Sequence, residues 1–282
     1  SLNPTKNTFN FQSSFSLNNT YFNKFNLQGA VSEYNHSERT GSGNNHNINF
    51  FSDLYEIKTS LNHNSVIDVN SEGLIGFHFQ NYDQGALGQE ESHLVHTRTS
   101  SFALFALESF NFDLFDLDVG GRLESVNLKN TSMEKGFFPG AFSSTIKREI
   151  FTNNTVFGGF DFTERAPNAV ELFANGPHHA LEQFEVGDSN MDVETSYNFS
   201  LGYSYNDGLD NLKIETYYNY IDDFIAADRD GTTTEVEGED MNNVNFSQYN
   251  ALFTGLEVTG QYAFAKIDDF DIISSVMIDF LK

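Results

Sequence analysis

Histidine is scarce in this chain, eight in 282 residues, yet two stand side by side directly after a Gly-Pro, in Gly176-Pro177-His178-His179. Neutral imidazole is a common zinc ligand, and carboxylates complete such sites. On an extended backbone, neighbouring side chains point to opposite sides, so as metal ligands one of His178 and His179 would face a substrate while the other packs within its own segment. A second metal-binding candidate is the pair His36 and Glu38 in SEYNHSE, two residues apart and on one face if the backbone is extended. Two readings of Gly176–His179 stand: a metal or metal-chelate contact, or a segment whose shape is held by hydrogen bonds to its neighbours.

The acidic stretch DRDGTTTEVEGED (Asp228–Asp240) invites calcium. Its glycine, however, comes fourth in the Asp-x-Asp-Gly run, whereas the helix-loop-helix calcium motif needs it sixth. A solvated acidic loop accounts for it better. Neither a glycine-flanked serine elbow nor an H-E-x-x-H occurs, so the chain is expected not to be an enzyme and to need no cofactor.

The elements that position these residues follow from composition and pattern. Forty acidic residues against fifteen basic ones, a net charge of −25, exclude nucleic acid as a partner, because phosphate contacts need Lys and Arg. An aromatic content of 15% is far above that of a disordered acidic chain. The absence of Cys removes disulfides, thiolate metal sites and a Cys nucleophile. SLNPTKNTFNF has no signal-peptide pattern, and no apolar run reaches the roughly 20 residues of a membrane helix.

Period-two alternation recurs instead. Tyr197, Phe199, Leu201, Tyr203 and Tyr205 oppose Ser196, Asn198, Ser200, Gly202 and Ser204. Leu212, Ile214, Thr216, Tyr218 and Tyr220 oppose Lys213, Glu215, Tyr217 and Asn219. Phe115, Leu117, Val119 and Leu123 oppose Asp116, Asp118, Arg122 and Glu124, and Phe9, Phe11, Phe15 and Leu17 oppose Asn10, Gln12, Ser14 and Ser16. Such segments are strands with one apolar face, and at about ten residues or more they match tilted membrane-spanning strands.

The connections alternate in length. Short turns are expected at Asn18–Thr20, Asn62–Asn64, Ser109–Asn111, Phe151–Asn154, Asn206–Gly208 and Lys266–Asp268, and long loops at Tyr34–Asn47, Tyr82–His96, Asn127–Phe137, Glu164–Val193 and Ala226–Phe246. The expected fold is all-β: an antiparallel transmembrane β-barrel, in part, with about twelve strands, long extracellular loops and short periplasmic turns. Tyr203, Tyr205, Tyr218 and Tyr220 stand as interfacial girdle residues in a chain without Trp. His36, His46, His93, His96, His178 and His179 fall on the extracellular side, His63 on the other, and His78 on the lumen face with Gly76 and Gln80.

FTERAPNAVELFANGPHHALEQFEVGDSNMDVETSYNFSLGY (residues 162–203) resembles a signature of TonB-dependent outer-membrane receptors. YNYIDDFIA (218–226), QYNALFTGLE (248–257), SEYNHSE (32–38), GLIGFHFQNYDQGALGQE (73–90) and VGGRLES (119–125) are similar to further motifs of that family, in order. The resemblance is closest to its zinc-uptake branch. It implies an active receptor and transporter in the outer membrane of a Gram-negative-type bacterium, embedded in lipid and energised by the inner-membrane TonB complex. The cargo implied is a scarce metal or metal chelate, Zn2+ ahead of an iron siderophore. A passive porin-like channel is the alternative. The family's plug domain, TonB box and terminal aromatic strand have no counterpart in residues 1–282, so the expectation is a fragment of the barrel domain. Arg165 and Pro167 are expected to be structural.

Overall fold

A computed structural model describes residues 4–39, 47–65, 70–88, 92–267 and 270–282. Nearly all of it is strand. The wall begins with β1 (Thr5–Ser16), β2 (Phe22–Arg39), β3 (Asn47–His63), β4 (Ser71–Gly88), β5 (Thr97–Asn111) and β6 (Asp116–Lys129). A short β7 (Glu134–Phe137) folds back on β6, and the wall resumes with β8 (Gly140–Phe151) and β9 (Asn154–Arg165). A long excursion then carries α1 (Ala169–Phe173), β10 (Asn175–His178), a 3₁₀ turn (His179–Leu181) and β11 (Gln183–Val186). The wall ends with β12 (Glu194–Asp207), β13 (Asp210–Val236), β14 (Glu239–Ile267) and β15 (Phe270–Leu281).

These form one 15-stranded sheet that runs from β1 to β14 and on to β11 and β10, with β15 also paired to β14 and β7 to β6. Consecutive wall strands pair antiparallel, as hairpin connections require. The twelve wall strands are each 12 residues or longer, enough for the 9–11 of a tilted bilayer crossing. No helix among the described residues is long and apolar enough to cross a membrane.

Register aligns the apolar stripes read from the sequence. Tyr197, Phe199, Leu201, Tyr203 and Tyr205 pair with Tyr220, Tyr218, Thr216, Ile214 and Leu212. They face outwards: Leu201 is 64% exposed and Phe199 52%. A continuous apolar surface of this kind requires a hydrocarbon environment. The opposite face is polar and bonded strand to strand. His78 Nε2 meets Glu56 Oε1 at 2.9 Å and Arg122 Nη2 donates to His78 Nδ1 at 3.2 Å. Arg122 also holds Glu124 at 2.9 Å, and Asn198 donates to Asp161. His78 is therefore a lumen residue, as its alternation predicts.

The strands run further than alternation shows. Ala226–Phe246 is not a loop: β13 and β14 continue through it as a hairpin that turns at Glu237 and Gly238, both at positive φ (55° and 87°). Likewise β2 continues to Arg39 and β4 to Gly88, and β5 to Asn111, which moves the expected turn on to Phe112–Phe115. The reason is environmental. Beyond the bilayer both faces meet water, so the ladder persists while the apolar period disappears. Three short strands, β7, β10 and β11, belong to the loops and add to the twelve of the wall.

Candidate metal centre

The excursion Ala166–Val193 is folded on its own small core, and Arg165 is its anchor. Arg165 holds Glu171 (Nη1 to Oε2, 2.9 Å) and Glu194 (Nη2 to Oε2, 3.2 Å), both nearly buried. Burial would lower the guanidinium's pKa, but the two carboxylates outweigh it and raise it, which keeps the charge fixed. Glu171 also closes a capping box with Asn168 on α1: Asn168 Oδ1 accepts from the Val170 and Glu171 amides, and Glu171 accepts from the Asn168 amide. Glu194 accepts from the Ile225 amide on β13. Leu172, Phe173 and Ala169 then bury against Leu128, Phe137, Met191 and Ile225. The R-A-P and E-L-F segments are thus structural, as expected for Arg165 and buried Pro167.

Behind this anchor, β10 and β11 form a hairpin whose outer strand pairs in parallel with β14, Gln183–Val186 against Asn242–Asn245. β14 therefore holds β15 along its lower half and β11 along its upper half. On the other side of β10 lies Ser92–His93. The His93 amide donates to the Pro177 carbonyl at 3.1 Å. A Cβ on Gly176 would lie 2.7 Å from the Ser92 carbonyl oxygen and 3.1 Å from the His93 nitrogen, so only glycine allows this approach.

The approach brings three donors together. One ligand atom from each of His93, His178 and Glu185 lies within 4.8 Å of the others. The His93 and His178 rings stack, with centroids 4.1 Å apart and planes 15° apart. His178 Nδ1 and Glu185 Oε1 are 2.7 Å apart, and the Glu185 side chain is only 9% exposed. His93 Nδ1 is buried with no hydrogen-bond partner. Burial pushes the His93 imidazole below its ordinary pKa, and the adjacent His178 pushes the same way, against the pull of the Glu185 and Glu38 carboxylates. His93 is accordingly neutral at neutral pH, the form that binds metal.

The sequence-predicted residues divide. His178 is in the group. His179 opens the 3₁₀ turn outside it, its Nε2 buried without a partner. His36 and Glu38 share a face as expected and pair with each other at 3.2 Å. They stand beside the group: the His36 ring stacks on Phe50 at 4.7 Å, and Phe50 lies 6.5 Å from His93. His96 instead pairs with Asp83, and His46 lies outside the described residues. His93 and Glu185 carry no local signal as ligands: His93 is one loop-side histidine among six, and Glu185 sits within the F-E-x-G motif.

A family model described as TonB dependent receptor-like, β-barrel, matches residues 2–277. The chain belongs to that family. Its members are receptors and transporters of the outer membrane rather than enzymes. Among solved structures, the receptor barrel is similar to the copper transporter OprC, with a TM-score of 0.74 and 15% identity over 98% of this chain and 46% of that one. It is similar to the Serratia marcescens hemophore receptor HasR, solved with its hemophore HasA and heme, with a TM-score of 0.75 and 14% identity over 98% and 49%. The FrpB iron transporter from Neisseria meningitidis aligns with a TM-score of 0.70 and 11% identity over 98% and 43%. At these identities the likeness establishes the fold. The chain spans less than half the length of each of these structures.

Proposed function

We propose that the protein containing this barrel is an outer-membrane receptor that imports a scarce metal or metal chelate under the drive of the inner-membrane TonB complex, with zinc ahead of an iron siderophore. The observation that carries the reading is the nitrogen-and-carboxylate cluster of His93, His178 and Glu185, on loops held by Arg165 at one end of the wall. Structures of the same fold include a copper transporter, an iron transporter and a heme-bound hemophore receptor, so the fold accommodates metal cargo of several kinds.

The mechanism requires no bond-making on the cargo. Extracellular loops capture it, a plug moves when TonB pulls, and the polar lumen face of Glu56, His78, Arg122 and Glu124 provides a hydrated wall along the path. The outward apolar face holds the barrel in lipid.

The test is radiolabelled zinc uptake by cells expressing the full-length gene, with and without functional TonB. Uptake that needs TonB is expected. Equal uptake in both strains would make the protein a passive channel.

A further inference from the structure

The donor set specifies the form of the cargo more narrowly than its family does. Resting on the metal-uptake reading, we propose that His93, His178 and Glu185 ligate a bare divalent transition-metal ion directly, so that the captured species is the ion and not a saturated chelate.

Three features of the cluster support this. Its size suits one ion: donor atoms within 4.8 Å of one another leave no room for an organic ligand between them. In a tetrahedral zinc site, bonds of about 2.1 Å place donors about 3.4 Å apart, which lies between the 2.7 Å of His178 and Glu185 and the 4.8 Å that bounds the whole group. Its chemistry suits a borderline-soft cation. Two imidazoles and one carboxylate are the three-ligand set of open zinc sites, in which a fourth position stays exchangeable. An exchangeable position is what a cargo site needs, because the ion must leave again. A saturated ferric chelate offers no vacant position for protein nitrogen.

The cluster is also built before any ion arrives. Gly176 permits the Ser92–His93 backbone to close in, the Pro177 carbonyl fixes the His93 amide, and β11 is tied to β14. His93 Nδ1 is buried without a hydrogen-bond partner among the described residues, and an ion would supply one.

Two arginines near the cluster are already committed to carboxylates, Arg98 to Asp83 and Arg165 to Glu171 and Glu194.

The experiment is equilibrium binding of Zn2+, with Co2+ as a spectroscopic probe, to the full-length receptor in detergent. One ion per receptor is expected, with the visible absorption of four- or five-coordinate Co2+. His93→Ala and Glu185→Gln are each expected to weaken binding at least about tenfold and to lose the Co2+ bands, whereas His179→Ala stays within about twofold. Glu185→Gln keeps the side chain's shape, and an unchanged thermal transition separates its loss of binding from misfolding. If both variants bind zinc as the wild type does, the assigned site is wrong while the uptake reading stands. If the wild type binds no zinc but a ferric chelate still enters with TonB dependence, the inference is overturned and the broader reading survives. Failure of both arms overturns both.

Discussion

Gly176→Ala offers a sharp test of how the site is assembled, because the added methyl meets backbone rather than a movable side chain. Its Cβ would lie 2.7 Å from the Ser92 carbonyl oxygen, 2.8 Å from the Ser92 carbonyl carbon and 3.1 Å from the His93 nitrogen. Ordinary contact begins at 3.4 Å, so Ser92–His93 must retreat by at least 3.4 − 2.7, or 0.7 Å. The retreat stretches the 3.1 Å bond from His93 to Pro177 and carries His93 away from His178. Zinc needs its donors about 3.4 Å apart, and the retreat moves the His93 donor outwards from that geometry. Overpacking of a tight site costs about 1–3 kcal/mol. If the unliganded loop relaxes by opening, that cost falls on metal binding, a loss of roughly 5- to 150-fold in affinity. The assay is zinc titration of the full-length variant in detergent, with thermal unfolding in parallel. Global stability is expected to hold, because β10 and Ser92–His93 lie outside the wall strands. Zinc binding within twofold of the wild type would refute the reasoning.

Two further predictions concern charge. Arg165→Ala leaves the nearly buried Glu171 and Glu194 uncompensated. Discounted for the 41% exposure of Arg165, the cost is about 2 kcal/mol, confined to the excursion. Amide exchange in Ala166–Val193 should rise while the wall stays protected, and adding Glu171→Gln and Glu194→Gln should recover part of the protection. Unchanged exchange would remove Arg165 as the anchor. The second concerns Asp83. Burial pushes its carboxyl up, but hydrogen bonds from Arg98 and His96 outweigh this and hold it below the usual carboxylate range. A depressed folded pKa stabilises above the unfolded value of about 3.9 and is lost as pH falls through the folded one. Asp83→Asn should therefore unfold at lower urea than the wild type at neutral pH, and the gap should vanish in strong acid. A gap independent of pH would assign the effect to packing.

The wall of the barrel was legible because its signal is local. Side-chain direction in a strand depends only on the pleat, so each apolar stripe is written in consecutive residues, and lipid on one face with a polar lumen on the other keeps it clean. The stripes of β12 and β13 meet in register as read. Strand ends were less legible. Above the bilayer, residues 226–246 face water on both sides, and their ladder leaves no period to read.

The pairing of His36 with Glu38 was also local, two residues apart on one strand, and the structure keeps it. The resemblance to the receptor family likewise rested on short ordered motifs, and the match to residues 2–277 bears it out. The metal cluster was different. Sequence alone provides the histidines and a carboxylate-rich loop, but residues 93, 178 and 185 come from two loops and three segments. They meet only because Arg165 anchors one excursion, β11 adds to β14, and Gly176 admits the other loop. Contact between segments so far apart in the chain is decided by packing, which leaves no periodic trace in the sequence, and so only the tertiary structure chose His93 and Glu185 as the companions of His178.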